Sequence, residues 1–383
     1  MSVRCEGKSH ILITGGAGFI GSHLAGMALA AGHKLTILDN LSPQVHGAEP
    51  HFRPSTGVHF IEGDVTVRAD LERALEGVDT VIHLAADTGT GQSMYEIERY
   101  YRVNVQGTAL LFDMLANMGH TVSNFVLASS RSVYGEGAYL CHSCEPGGRR
   151  CFPTPRSPQQ LAAHDWSPRC PECDSPLQPT ATREDDRVAP ASIYAATKLA
   201  QEDLVRIGCS SLGVPHAILR FQNVFGEGQS LKNPYTGILS IFSTRFRLGL
   251  PIDVFEDGEE SRDFIHVEDV ASAVLICAQK SIADGVTLNV GRGEPVTVMA
   301  LARLLGRHLD CDVEVAATGR YRVGDIRHNF ADISRFEAIT GFKPRISLEE
   351  GLRRFCDWVL AQPIPDDLLG TAHAELVARK LMG

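Results

Sequence analysis

The segment that most constrains the fold is the first one, where an apolar run, a glycine turn and a helix follow one another without a gap. His10-Ile11-Leu12-Ile13 forms a short strand that runs into Thr14-Gly15-Gly16-Ala17-Gly18-Phe19-Ile20-Gly21, and helical spacing follows from about Ser22 to Ala31. Gly15 permits the tight turn, Gly18 lets the backbone approach a pyrophosphate, and Gly21 lets helix pack closely on strand. The helix N-terminus then presents unpaired amides to the anion. The next strand, Lys34-Leu35-Thr36-Ile37-Leu38, ends in Asp39, where a carboxylate accepts hydrogen bonds from ribose hydroxyls and repels a 2′-phosphate. This pattern predicts a dinucleotide site that takes NAD in preference to NADP.

Apolar runs at 10–14, 34–39, 58–63, 80–86, 124–130 and 215–221 alternate with helical patterns. That alternation predicts an α/β chain with a Rossmann-type, doubly wound parallel sheet over residues 1–222. After Asn223 come a Gly/Pro/Asn-rich loop, a helix near 236–248, and short strands mixed with helices, which read as a smaller C-terminal α/β substrate lobe over 223–383. The stretch from Leu368 to Met382 is amphipathic and helix-prone, and is expected to pack on its own domain. With 383 residues, 44% of them hydrophobic, the chain has enough apolar surface for a sizeable core. No apolar run approaches the length of a membrane span, and no basic head precedes an apolar signal core, so a cytoplasmic enzyme is expected. A net charge of −10 without a basic run argues against nucleic-acid and membrane partners. Any anionic ligand must therefore be held by local arginines.

Tyr194 and Lys198, in Ser192-Ile193-Tyr194-Ala195-Ala196-Thr197-Lys198, fall at i and i+4, which puts phenol and ammonium on one helical face. A phenol with a pKa of about 10 is a poor base at neutral pH, and a neighbouring cation favours the phenolate. The spacing alone also fits an ordinary solvated helix, so the surrounding motifs decide its meaning.

Those motifs resemble the extended short-chain dehydrogenases/reductases, in the branch of NAD-dependent sugar-nucleotide epimerases and dehydratases, and the resemblance covers nearly the whole chain. Asp64-Val65 after the third strand resembles the family's adenine contact, and His83-Leu84-Ala85-Ala86 its fourth-strand end. Asn104-Val105-Gln106-Gly107-Thr108 resembles its helix asparagine segment, and Ala128-Ser129-Ser130-Arg131-Ser132-Val133-Tyr134-Gly135 its fifth-strand end. Arg220-Phe221-Gln222-Asn223 resembles the segment reaching from cofactor to substrate, and Ser261-Arg262-Asp263-Phe264-Ile265-His266 the diphosphate-binding arginine segment. The resemblance implies a catalytic trio of Ser130, Tyr194 and Lys198. It implies NAD contacts at Gly15, Gly18, Phe19, Ile20, Gly21, Asp39, Asn40, Asp64, Val65, Leu84, Ala85, Ala86, Asn104, Tyr194, Lys198 and Gln222. A nucleotide-diphosphate sugar is the expected partner, with Thr88, Ser130, Asn223, Arg262 and Arg327 as substrate contacts, and a homodimer the expected assembly. Residues 263–291 are expected to return to the first domain. Thr88 stands where galactose-type epimerases carry a lysine.

Ser130 and Tyr194 are 64 residues apart, and the excess over a minimal family member contains Cys141-His142-Ser143-Cys144 and Cys170-Pro171-Glu172-Cys173. Two such knuckles, 25 residues apart, point to a structural zinc held by Cys141, Cys144, Cys170 and Cys173, in a zinc-ribbon-like insert spanning 137–179. Disulfides are the alternative, disfavoured in a reducing cytosol. Cys151, His142 and His164 read as bystanders.

The reaction type follows from what stands beside Ser130. Family dehydratases carry an Asp-Glu pair after the catalytic Thr, and decarboxylases a glutamate at the second of these positions, whereas this chain has Arg131 and Ser132. The expectation is a 4-epimerase working through a transient 4-keto sugar. The cysteine insert, together with Gly228-Gln229-Ser230 and Asn233-Pro234-Tyr235-Thr236-Gly237, resembles bacterial dTDP-L-rhamnose 4-epimerases, which implies that sugar as substrate. Alternatives are an epimerase of the UDP-glucose or UDP-glucuronate type, a 4-ketoreductase or dehydrogenase, and, outside enzymes, an NAD-sensing binding protein.

Overall fold

Seven strands form one sheet: β1 (His10–Thr14), β2 (Lys34–Asp39), β3 (Val58–Glu62), β4 (Thr80–His83), β5 (Asn124–Ser130), β6 (His216–Phe221) and β7 (Val286–Val290). Their order is β7-β6-β5-β4-β1-β2-β3, with every pair parallel. The chain reverses its direction of travel across the sheet at β1 and β4, and the crevice at their carboxyl ends is where such sheets bind ligands. The computed structural model describes residues 8–47, 52–231, 237–278, 284–367, 369–379 and 381–382. Asn233, Pro234, Tyr235, Thr236 and Leu368 lie outside these residues.

The strands are near-continuous apolar runs because both faces are covered. On one face Ile11, Ile13, Ile37 and Val126 pack with Leu24, Ala25 and Ala28 of helix α1 (Phe19–Ala30), and with Val270 and Val274 from the helix Val267–Cys277. On the other, Leu12, Leu38, Val81 and Phe125 meet Leu71, Leu111 and Phe112, and Val205 and Cys209 of helix α2 (Ile193–Leu212). Helix α1 starts at Phe19, three residues before the predicted Ser22, because Gly18 is its N-cap and Gly21 already belongs to its first turns. Strand β4 stops at His83, so Leu84, Ala85 and Ala86 form the loop that leaves the sheet.

Beyond Phe221 a separate apolar core gathers Phe225, Leu239, Phe242, Ile252, Val254, Phe264, Leu301 and Phe355. Helix Ile238–Arg247 stands where 236–248 is predicted helical. Strand Ser261–His266 pairs in this lobe with Asn223–Phe225, Pro295–Thr297 and His328–Asn329, and the chain then passes through Val267–Cys277 to β7 in the main sheet. Between β5 and α2, strand Tyr139–Cys141 pairs antiparallel with Arg149–Cys151 and Gln178–Pro179. Among the described residues no helix is long and apolar enough to cross a membrane.

Candidate active site

A cavity of about 950 Å³ opens at the carboxyl ends of β1, β2, β4 and β5, and runs into the C-terminal lobe. Gly15, Gly18, Phe19, Ile20 and Gly21 line it, with Asp39, Asn40, Asp64, Val65, Leu84, Ala85, Ala86 and Thr88. Gly15 has φ +71°, and a Cβ there would stand 2.8 Å from the Ala85 nitrogen, while one on Gly21 would stand 2.6 Å from the Gly15 carbonyl oxygen. No larger residue fits either place, and the hollow this leaves suits a pyrophosphate against the α1 N-terminus.

Asp39 is nearly buried, and its carboxylate accepts from the Ala17 amide at 3.0 Å and the Leu41 amide at 2.9 Å. A carboxylate has about four acceptor positions, so acceptor capacity remains for ribose hydroxyls. Asp64 accepts from the Thr66 amide at 2.8 Å and from Asn40 Nδ2 at 2.8 Å. Burial pushes its carboxyl up, but these hydrogen bonds outweigh it and hold the group below its ordinary value, hence ionised. These residues fit the adenosine half of NAD.

Two of the predicted cofactor residues do not line the cavity. Asn104 lies in a π-helical turn, Tyr101–Gln106, of a helix running from Ile97 to Asn117. Its Oδ1 accepts from the Asp87 amide at 2.8 Å, and its Nδ2 donates to the Asp87 carbonyl and the Thr197 hydroxyl, both at 3.0 Å. It ties the loop after β4 to helix α2, so it shapes the cleft through its walls. Gln222 is buried, with both amide atoms unpartnered in the protein.

Helix α2 is set by the Ser192 hydroxyl, which accepts from the Ala195 amide, and by Ser93 Oγ, which accepts from the Tyr194 amide at 3.0 Å. Tyr194 and Lys198 line the cavity on the same helical face. The Lys198 ammonium, however, donates to the Ala128 carbonyl at 2.9 Å. Burial pushes Lys198 down to about 7. The Tyr194 phenol is pushed up by burial, against a hydrogen bond with Ser130 and the positive charge of Arg131, which favour the phenolate. Tyr194 and Lys198 thus share the face that the i, i+4 spacing predicts, and Ser130 and Arg131 add to what acts on the phenol. Arg131 donates to Asn223 Oδ1 at 2.9 Å, and burial with the Arg262 charge brings its pKa down to about 9.

Toward the C-terminal lobe Arg262 lines the cavity, with its guanidinium held by Asp325 Oδ1 at 3.0 Å and the Ile326 carbonyl at 2.7 Å. Arg327 does not reach the cavity. It is buried between Glu256 at 2.9 Å and Asp257 at 2.7 Å, two carboxylates that occupy its donors. Arg322, absent from the sequence-based candidates, stands in the wall instead. Its Nε has no partner, and among the described residues it makes no ion pair. Burial lowers its pKa, countered by Asp325 and Glu260. A desolvated guanidinium without a carboxylate of its own is a strong anion ligand.

The four predicted cysteine ligands converge. Their sulfurs all lie within 4.8 Å of one another, with Cys141 and Cys144 each 3.4 Å from Cys173 and Cys144 at 3.7 Å from Cys170. A disulfide needs about 2.04 Å, whereas thiolates about 2.3 Å from a tetrahedral zinc stand roughly 3.8 Å apart. Amides of Glu172 and Cys173 point at the Cys170 sulfur and lower its pKa, favouring the thiolate that ligates metal. His142 is engaged with Gln178 Oε1, Cys151 with the Tyr139 carbonyl, and His164 stacks near Trp166.

Residues 11–158 and 168–291 match the NAD dependent epimerase/dehydratase family. The chain is 37% identical over 362 residues to the dTDP-L-rhamnose 4-epimerase of Burkholderia thailandensis, covering 92% of this chain and 95% of that protein. Its fold is similar to that of the UDP-N-acetylglucosamine 4-epimerase from Methanobrevibacter ruminantium in complex with UDP-N-acetylmuramic acid, at TM-score 0.74 and 29% identity, over 93% of this chain and 99% of that one. It is also similar to MoeE5 in complex with UDP-glucose and NAD, at TM-score 0.72 and 28% identity, over 92% and 99% of the two chains.

Proposed function

The chain belongs to the NAD-dependent epimerase/dehydratase family, and from that premise we propose that it is a nucleotide-sugar 4-epimerase that interconverts dTDP-L-rhamnose and dTDP-6-deoxy-L-talose. The observation that carries this reading is the single cavity whose wall holds the glycine turn, Tyr194, Arg262 and Arg322. A dinucleotide and a nucleoside-diphosphate sugar are thereby brought into one enclosure. Identity of 37% to the relative named for dTDP-L-rhamnose, against 28% to the structure holding UDP-glucose, favours the deoxysugar. A cytoplasmic homodimer, as the family resemblance implies, and one structural zinc on the four cysteines are part of the same proposal.

In this reading NAD, held by the glycine turn and Asp39, would supply a reversible hydride acceptor for the sugar's C4. Tyr194, as phenolate, takes the proton of the 4-hydroxyl as the C4–H bond breaks and the C4 carbonyl forms. Ser130, hydrogen-bonded to the phenol, holds the sugar oxygen in line with that transfer. Asn223, fixed by Arg131, together with Arg262 and Arg322, holds the diphosphate while the 4-keto sugar turns over between its two faces. For the return the Tyr194 phenol gives its proton back to the oxygen as C4 is reduced on its opposite face. Atoms and charge balance without net oxidation.

The deciding experiment incubates the purified protein and NAD with UDP-, dTDP- and GDP-sugars and resolves the products. A mixture of C4 epimers, reached from either side without accumulation of reduced nicotinamide, is expected, with dTDP-L-rhamnose turned over fastest. Net production of reduced nicotinamide would instead identify a dehydrogenase, and turnover of UDP-glucose or UDP-glucuronate alone would reassign the substrate.

Cofactor choice offers a second measurement. Because the Asp39 carboxylate meets the ribose, NAD should support activity by about tenfold or more over NADP, the equivalent of one modest charge repulsion. Equal activity with both dinucleotides would remove Asp39 from the ribose site.

A further inference from the structure

The last helix, α3 (Leu369–Ala378), does more than cover its own lobe. Leu369, His373 and Leu376 line the active-site cavity. Leu376 is buried, and a Cβ on Gly91 would lie 3.6 Å from it, which sets the helix directly over the short helix Thr90–Ser93, whose Ser93 accepts from the Tyr194 amide. On that side Tyr95 donates its hydroxyl to Glu375 Oε2 at 2.8 Å, and the Arg379 guanidinium lies 4.1 Å from the centre of the Tyr95 ring. On the other side the tail is joined to the C-terminal lobe. The Val323 amide donates to the Leu381 carbonyl at 3.1 Å, Arg322 and Met382 form an antiparallel bridge, and Arg245 pairs with Asp367 at 2.8 Å. The segment is thus a strap across the cavity, anchored in both lobes.

Its polar contact with the site is His373. The Arg322 guanidinium donates to His373 Nε2 at 3.3 Å, and the imidazole and the guanidinium both lie against the Phe255 ring, at 5.5 Å and 4.6 Å from its centre. Arg322 makes no ion pair among the described residues, although Asp325 and Glu260 act on its charge from a distance, so its hydrogen bond to His373 and the Phe255 face set where the guanidinium points. Burial and the Arg322, Arg320 and Arg245 charges hold His373 down to about 4, which keeps it neutral and able to accept. An acidic residue in its place would neutralise the guanidinium that the anion needs.

We propose that the C-terminal strap completes the substrate site, and that His373 is a positioning residue which aims Arg322 at the diphosphate of a nucleoside diphosphate while leaving its charge available. The inference rests on the reading of Arg322 as a diphosphate ligand, and the test separates the two. The full chain, loaded with NAD, is titrated calorimetrically with UDP and with dTDP, alongside His373→Ala, His373→Asn, Arg322→Met and a chain ending at Asp367. Loss of the one 3.3 Å hydrogen bond that orients the guanidinium predicts about fivefold weaker binding in His373→Ala, with much of the affinity regained in His373→Asn, which keeps an acceptor. The shortened chain should weaken at least as much, and NAD affinity should stay the same in every variant. If Arg322→Met weakens nucleotide binding while His373→Ala and the shortened chain bind like the parent, the strap has no role in the site. If Arg322→Met also binds like the parent, the diphosphate assignment falls and the inference with it.

Discussion

Tyr194→Phe should lower turnover by about 10²-fold or more, the usual loss when a general base is removed, while NAD stays bound. The change deletes one oxygen from a ring that the protein already encloses, and Ser93 and Ser192 hold the start of α2 through backbone amides rather than through the phenol. Structure and cofactor affinity are therefore expected to persist. Because burial holds the phenol above its ordinary value and Ser130 opposes it, Ser130→Ala should raise the apparent pKa of the basic group and shift the acid limb of the activity profile to higher pH. Near-normal turnover in Tyr194→Phe would end the proposed proton transfer. An unmoved profile in Ser130→Ala would remove Ser130 from it.

Loss of metal from the cysteine cluster is expected to have the second large effect. The purified protein should carry about one zinc per chain, and Ser in place of Cys141, Cys144, Cys170 or Cys173 should lower that occupancy and expose 137–179 to proteolysis. The parallel sheet should survive, since none of its core residues comes from the insert. Substrate binding should weaken all the same. Arg156, carried by the insert and almost fully buried, donates to Glu256 Oε2 at 2.8 Å and to the Asp325 carbonyl at 3.0 Å, and Asp325 is the residue that holds Arg262. A loosened insert therefore withdraws a support from the diphosphate arginines, and KM for the nucleotide sugar should rise with NAD affinity unchanged. Elemental analysis that finds no metal in protein purified without chelator, with free thiols at all four positions, would refute the zinc assignment.

The parts of this protein legible in its sequence are those built from neighbours along the chain. Strand, glycine turn and helix from His10 to Ala30 follow from apolar runs and from places where a Cβ cannot fit, and Asp39 follows from the end of the next strand. Tyr194 and Lys198 share a face because the helix repeat puts them there, and paired C-x-x-C spacing brings each half of the thiol cluster together before any folding of the insert. What only the tertiary structure decided is which partner each charged side chain meets. Arg322 and Arg327 stand five residues apart in one loop, and no local pattern tells them apart. Packing sets Glu256 and Asp257 against Arg327 and leaves Arg322 beside His373, 51 residues further along the chain. Lys198 likewise turns to the Ala128 carbonyl, 70 residues away, and Asn104 to the backbone of Asp87 and the Thr197 hydroxyl. Backbone geometry and steric fit act over one helical turn or one strand end, so spacing encodes them. A buried charge takes whatever donor or acceptor the fold brings within about 3 Å, and that choice is made only when distant segments pack.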